Sequence, residues 1–200
     1  MESFDRVSES IGAEGWLVLP DFVGQETIAA LREECRQLAA TGTFRAAAVG
    51  NNADHRIRPE IRSDEILWLD AAQGNEGRQR CLARFEQLRL AVNRHLQLGL
   101  FEFECHYARY APGAFYRKHF DRFRNDGRRT LSSVLYLNED WKKGDGGALR
   151  LHLNDRGSPD HVDVQPAGGT LILFLSDRFA HEVLPARRER LSLTGWFKTR

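Results

Sequence analysis

The sequence is poor in sulfur and in lysine. Its 200 residues include one methionine, the first, three cysteines, and four lysines against twenty-five arginines. Cys35, Cys81 and Cys105 are odd in number and form no Cys-x-x-Cys, which excludes a disulfide framework and a zinc knuckle and leaves buried thiols as the expectation. A metal site would have to be built from the seven histidines and from carboxylates. Long apolar runs are also missing: the longest, Leu171 to Leu175, has five residues, whereas a membrane span needs roughly 18. The first residues, Met1-Glu-Ser-Phe-Asp-Arg6, lack the basic start and apolar stretch of a secretory signal, so the expected location is cytoplasmic with no membrane partner. Net charge is nearly absent, at +1, which argues against a protein that grips nucleic acid by its phosphates. No repeat, low-complexity segment or Pro/Gly/Ser linker divides the chain, and residues 1–200 are read as a single domain.

What is present changes period half-way. Phe4, Val7 and Ile11 predict a short helix, Gly15 to Pro20 a strand, and Ile28, Leu31, Cys35 and Leu38 a helix over about 25–40. Ile66 and Trp68 suggest a strand, and Leu82, Phe85, Leu88, Val92 and Leu96 a helix over about 76–97. From residue 100 short alternating runs take over: Phe101 to Tyr107, Phe115 to Asp121, Thr130 to Asn138, Ala148 to Leu153, Val162 to Gln165, Thr170 to Leu175 and Leu191 to Phe197. Turns such as Ala111-Pro-Gly113, Asn125-Asp-Gly127 and Asn154-Asp-Arg-Gly157 separate them. The fold class is α+β: a double-stranded β-helix, or jelly roll, over 100–200, with helix-rich support over 1–99.

His119-Phe-Asp121 sets two ligand-type side chains two residues apart, which on a strand puts them on one face. The spacing alone is weak, because His161-Val-Asp163 repeats it. His161 and Asp163 follow Ser158-Pro-Asp160, have no third ligand at a comparable interval, and read as solvated edge-strand residues. Asp121 has such a ligand in His181, 60 residues on, and Arg190 opens the final strand. Two imidazoles and one carboxylate leave three open positions on an octahedral iron, and an arginine deep in a barrel can hold a carboxylate by a two-pronged pair.

With these residues in view the chain resembles the Fe(II)/2-oxoglutarate dioxygenases, specifically the prolyl hydroxylases of the hypoxia-inducible-factor type and their bacterial relatives. The likeness is carried by Ile61 to Trp68, Ala111-Pro-Gly113, Tyr116 to Asp121, Leu135 to Trp141, Gly146 to Arg150, His181 to Pro185 and Arg190 to Phe197. It implies that His119, Asp121 and His181 bind Fe(II), and that Arg190 pairs with the distal carboxylate of 2-oxoglutarate, assisted by the hydroxyls of Tyr136 and Thr194. Tyr110 would lie near the cosubstrate, although Tyr110-Ala-Pro-Gly replaces the Tyr-Pro-Gly of the animal members. The implied activity is peptidyl-prolyl hydroxylation with O2 as second cosubstrate, succinate and CO2 as co-products, and ascorbate (vitamin C) as an accessory reductant. The implied partner is a protein with a target proline, with a translation factor such as elongation factor Tu as a candidate from the bacterial relatives.

The resemblance also suggests Arg62, Asp64 and Arg129 as substrate contacts, the alternative being a surface salt-bridge network. Trp196 would line the substrate mouth or sit in the core. The polar stretch Gly50 to Pro59 reads as a mobile loop beside the site, and the Arg-rich turn Arg122 to Arg129 could draw an acidic partner. Two rivals stand beside this reading: the same chemistry on an amino acid or a nucleic-acid base, and a non-catalytic sensor that binds metal and 2-oxoglutarate. The oligomeric state is not legible.

Overall fold

A computed structural model of the chain describes residues 4–50, 56–122, 127–153 and 160–200. Three helices, α1 (Phe4–Ala13), α2 (Gln25–Ala40) and α3 (Glu76–Leu96), arise where the apolar residues recur every three or four positions. The Asn75 side chain caps α3 by accepting from Arg78 N, and the helix stops where Gln97 turns left-handed at φ 51°. Among the described residues no helix is long and apolar enough to cross a membrane.

The strands are β1 (Trp16–Leu19), β2 (Arg45–Ala46), β3 (Ala48–Val49), β4 (Arg56–Ile57), β5 (Glu65–Trp68), β6 (Glu102–Tyr110), β7 (Tyr116–His119), β8 (Arg129–Tyr136), β9 (Leu149–His152), β10 (His161–Val164), β11 (Leu171–Leu175), β12 (His181–Val183) and β13 (Arg190–Lys198). A seven-stranded sheet runs β1-β11-β8-β13-β6-β5-β2, a four-stranded sheet runs β10-β9-β12-β7, and β3 pairs with β4 in a hairpin of its own. The two larger sheets enclose the jelly-roll interior and the helices cover the outer face of the larger one.

Alternation decides which side chain meets which layer. On β13, Leu191, Leu193 and Phe197 join a core with α1, α2 and α3, whereas Arg190, Ser192, Thr194 and Trp196 occupy the alternate positions. On β6, Cys105 and Tyr107 face the helices, leaving His106, Ala108 and Tyr110 for the interior. Tyr136, Leu149, Leu151, Ile172, Phe174 and their neighbours form a second core cluster between the sheets. All three cysteines are buried free thiols, as expected.

Two expectations need correction. The strand read to Asp121 ends at His119, because beyond it the chain leaves the ladder and Arg122 N donates to Ser176 O at 3.3 Å. The strand-like period ran on through Phe120 and Asp121, but pairing partners did not. The stretch read as a mobile loop contains β4, and β3 and β4 are too short to carry a period; its residues 51–55 lie outside the described residues, as do 123–126 of the Arg-rich turn and the Asn154 to Gly157 turn.

Candidate metal centre and its cavity

His119 on β7 and His181 on β12 stand opposite each other in the antiparallel register. Their rings lie 4.2 Å apart between centroids. Asp121 reaches the same point from the turn, with Oδ1 3.6 Å from His119 Nε2 and Oδ2 3.6 Å from His181 Nε2. One ligand atom from each residue falls within 4.8 Å of the others.

Both imidazoles are oriented from behind. His119 Nδ1 donates to Arg117 O at 2.8 Å and His181 Nδ1 to Phe179 O at 3.4 Å. A carbonyl only accepts, so each ring carries its proton on Nδ1 and turns the lone pair of Nε2 to the cluster. Tyr116 stacks on His119 at 3.6 Å and Phe174 tilts over His181 at 4.6 Å. Burial pushes His181 down to about 4, with His119 adding and Asp121 opposing, so the imidazole is neutral at neutral pH. Burial opposes ionisation of Asp121, but His181, His119 and the Ser132 hydroxyl overcome it and hold the carboxyl below its usual range. Two nitrogens and one carboxylate, deprotonated and converging, fit Fe(II) and its divalent neighbours.

The cluster opens on a cavity of about 240 Å³. Arg190, only 1% exposed, lies in its wall. Its guanidinium is flanked by the rings of Tyr110 at 4.9 Å and Tyr136 at 5.0 Å, and its Nε donates to Gly147 O at 3.0 Å. Gly147 has φ +70°, and a Cβ there would come 2.8 Å from Ala186 Cβ and 3.1 Å from Trp141, so glycine is required for this approach. Among the described residues, Arg190 Nη2 and the Tyr136 hydroxyl are buried without a hydrogen-bond partner. Burial pushes the Tyr136 phenol up to about 12 against the Arg190 charge, so it stays a protonated donor. Two orphaned donors, one cationic, fit a carboxylate such as the distal end of 2-oxoglutarate.

Thr194 also lies in the wall, its Oγ1 3.3 Å from Ser192 Oγ. Arg62 borders the opening above Tyr116, 4.1 Å from its ring, and forks onto both Asp64 oxygens at 2.8 and 2.6 Å. Asp64 is 2% exposed and anchors Arg62 from behind. Arg129 lies 3.6 Å over Trp196 and donates to Glu104 at 3.0 Å. Trp196 is both buried and part of the cavity wall, so the two readings of it meet.

Sequence reasoning missed His106, a fourth imidazole near the site, which is held between Trp68 at 5.0 Å and Trp196 at 5.4 Å. The available signal was the even-numbered side of β6, which the apolar alternation of the odd side overshadowed. His161 and Asp163 stay on the edge strand β10, outside the cavity lining, where Asp163 is forked by Arg150 at 2.8 Å.

The model of the 2OG-Fe(II) oxygenase superfamily matches residues 105–198. A solved prolyl-4-hydroxylase from Pseudomonas putida is 47% identical, covers 99% of this chain and 100% of its own, and superposes with a TM-score of 0.87. The chain belongs to the 2OG-Fe(II) oxygenase superfamily. Among curated relatives, human Egl nine homolog 1 is 31% identical over 98% of this chain and 46% of its own length. The hypoxia-inducible factor prolyl hydroxylase of Caenorhabditis elegans is 30% identical over 96% of this chain and 28% of its own. The chain thus spans less than half the length of these two relatives. For a 2OG-Fe(II) oxygenase, the two-sheet barrel with the His119–Asp121–His181 cluster inside it is the expected architecture, and the jelly-roll reading stands.

Proposed function

We propose that the chain is an Fe(II)- and 2-oxoglutarate-dependent dioxygenase that hydroxylates a prolyl residue in a protein. The observation that carries this reading is the pairing, in one cavity, of a three-residue N,N,O cluster with a buried arginine whose Nη2 has no hydrogen-bond partner among the described residues. The names of its relatives, including a prolyl-4-hydroxylase alike over the whole chain, support the choice of substrate class.

When bound, Fe(II), 2-oxoglutarate and O2 supply the oxidising power, the 2-oxo acid ending as succinate and CO2 while a C–H bond becomes C–OH. His119, Asp121 and His181 would hold the metal by three positions and leave the rest to cosubstrates. Arg190 and Tyr136 would receive the distal carboxylate, with Tyr110 and Gly147 fixing the guanidinium and Thr194 beside it. Arg62, Arg129 and Trp196 line the opening and are the proposed contacts of the incoming prolyl segment. No side chain is required as a general base.

The test is anaerobic. Metal-free protein given Fe(II) and then 2-oxoglutarate should show a visible charge-transfer band, bleached by O2 with succinate formed. Absence of the band in folded protein sinks the metal-and-cosubstrate reading. A band without succinate above background turns the chain into a sensor.

A further inference from the structure

We infer that Ser132 and Ser176 form a two-hydroxyl relay that positions Asp121 as a one-oxygen ligand, an inference that rests on the metal centre proposed above. Ser132 Oγ donates to Asp121 Oδ2 at 2.7 Å, and Ser132 and Ser176 Oγ lie 2.8 Å apart. Either serine could be the donor in the second bond when it is taken alone. An ionised carboxylate only accepts, so Ser132's single proton is committed to Asp121, and Ser132 must accept from Ser176. The relay therefore runs Ser176 to Ser132 to Asp121. Oδ1 is turned to the His119 side, 3.6 Å from His119 Nε2.

The need for such a device follows from the fold. Asp121 sits two residues past the end of β7, beyond its ladder, so no sheet hydrogen bond holds it. Ser132 comes from β8 in the larger sheet, and Ser176 from the residue after β11. The backbone of Ser176 is itself fixed, its N–H donating to Thr130 O at 3.0 Å and its carbonyl accepting from Arg122 N at 3.3 Å. The two serines, 1% and 0% exposed, thus tie the turn bearing Asp121 to the rigid sheet. Hydroxyls buried this deeply are costly as packing alone, since an apolar side chain would fill the space without needing partners. Here each has a partner, and the chain of bonds ends on the one ligand the ladder cannot place. Hydrogen bonds to a ligating carboxylate set its orientation and donor strength, and their loss weakens metal binding by about 10- to 100-fold.

The experiment uses Co(II) as probe, read by its visible d–d absorption and by its dissociation constant, with thermal unfolding of the metal-free proteins as the check on folding. Ser132→Ala should weaken Co(II) binding about 10- to 100-fold and alter the band. Ser132→Thr, which keeps the hydroxyl, should restore both. Ser176→Ala should weaken binding less, and the double variant should bind no worse than Ser132→Ala, because Ser176 acts only through Ser132. Ser132→Cys, of similar size but a poor donor, takes the place of Ser132→Ala if that variant does not fold. Co(II) affinity within about twofold of wild type in Ser132→Ala or Ser132→Cys overturns the relay, as does a full additional loss in the double variant. Asp121→Ala serves as control: if it too binds Co(II) like wild type, the metal-centre reading falls, whereas its failure to bind alongside an unaffected Ser132→Ala removes the relay alone.

Discussion

Arg190 shows how much one side chain's surroundings decide. Its charge is buried against two tyrosine rings with one guanidinium nitrogen unpartnered, an arrangement that is unfavourable until an anion arrives. Arg190→Ala should weaken 2-oxoglutarate binding by on the order of 2–3 kcal/mol, read by titration of the charge-transfer band; unchanged affinity would remove Arg190 from the site. At this scale the ligands were legible because their chemistry is rare: His119, Asp121, His181 and Arg190 stood out by type and interval. His106, Ser132 and Ser176 were not, since a histidine or serine in an alternating run carries no mark of what lies across the barrel. Asp64 was legible as important, but its carboxylate points at Arg62, and only the fold shows that direction.

At the scale of elements, the long strands and helices followed their periods, while β2, β3 and β4, two residues each, had none to read. The register of β6 was visible from the alternation Phe101, Phe103, Cys105 and Tyr107, but Phe103, Cys105 and Tyr107 face the helix layer, Phe101 is exposed ahead of the strand, and the functional face is the other one. Gly195 on β13 illustrates a constraint between elements. A Cβ there would meet the Phe103 ring at 2.5 Å and Glu104 O at 2.8 Å. Phe103 is in turn stacked on Phe85 of α3 and against Phe197, both at 4.6 Å between centroids. Gly195→Ala should therefore lower stability by about 1–3 kcal/mol in urea unfolding, and a midpoint equal to wild type would show that the ring can move aside freely.

For the whole molecule, pH acts through the buried imidazoles. Burial, and then the Arg62 charge, push His106 from its ordinary 6.5 down to about 4. The unfolded chain takes up a proton as the pH falls below 6.5, and the folded chain refuses it until about 4. The stability is complete above pH 6.5 and is lost progressively between 6.5 and 4, at about 1.4 kcal/mol per pH unit for one such group. His181 adds a loss of the same sign in metal-free protein. His106→Gln should flatten the acid limb of unfolding free energy by that slope; a limb as steep as wild type would mean that His106 is protonated in the folded state.

The strand that carries Arg190 is also the best secured in the barrel. β13 is flanked on both sides, paired with β6 from Arg190 to Lys198 and with β8 from Ser192 to Lys198. The strand that carries His119 is an edge, joined to β12 at His119 and Tyr116 with a register shift between them. Its other side is bridged to the chain ahead of β5, where Arg62 pairs with Tyr116, Arg117 N donates to Ile61 O at 2.8 Å and Ser63 N donates to Phe115 O at 3.0 Å. The two halves of the cavity thus rest on supports of different kinds: Arg190 on two long ladders of the larger sheet, and His119 on a short, irregular ladder braced from its other side by the segment leading to β5.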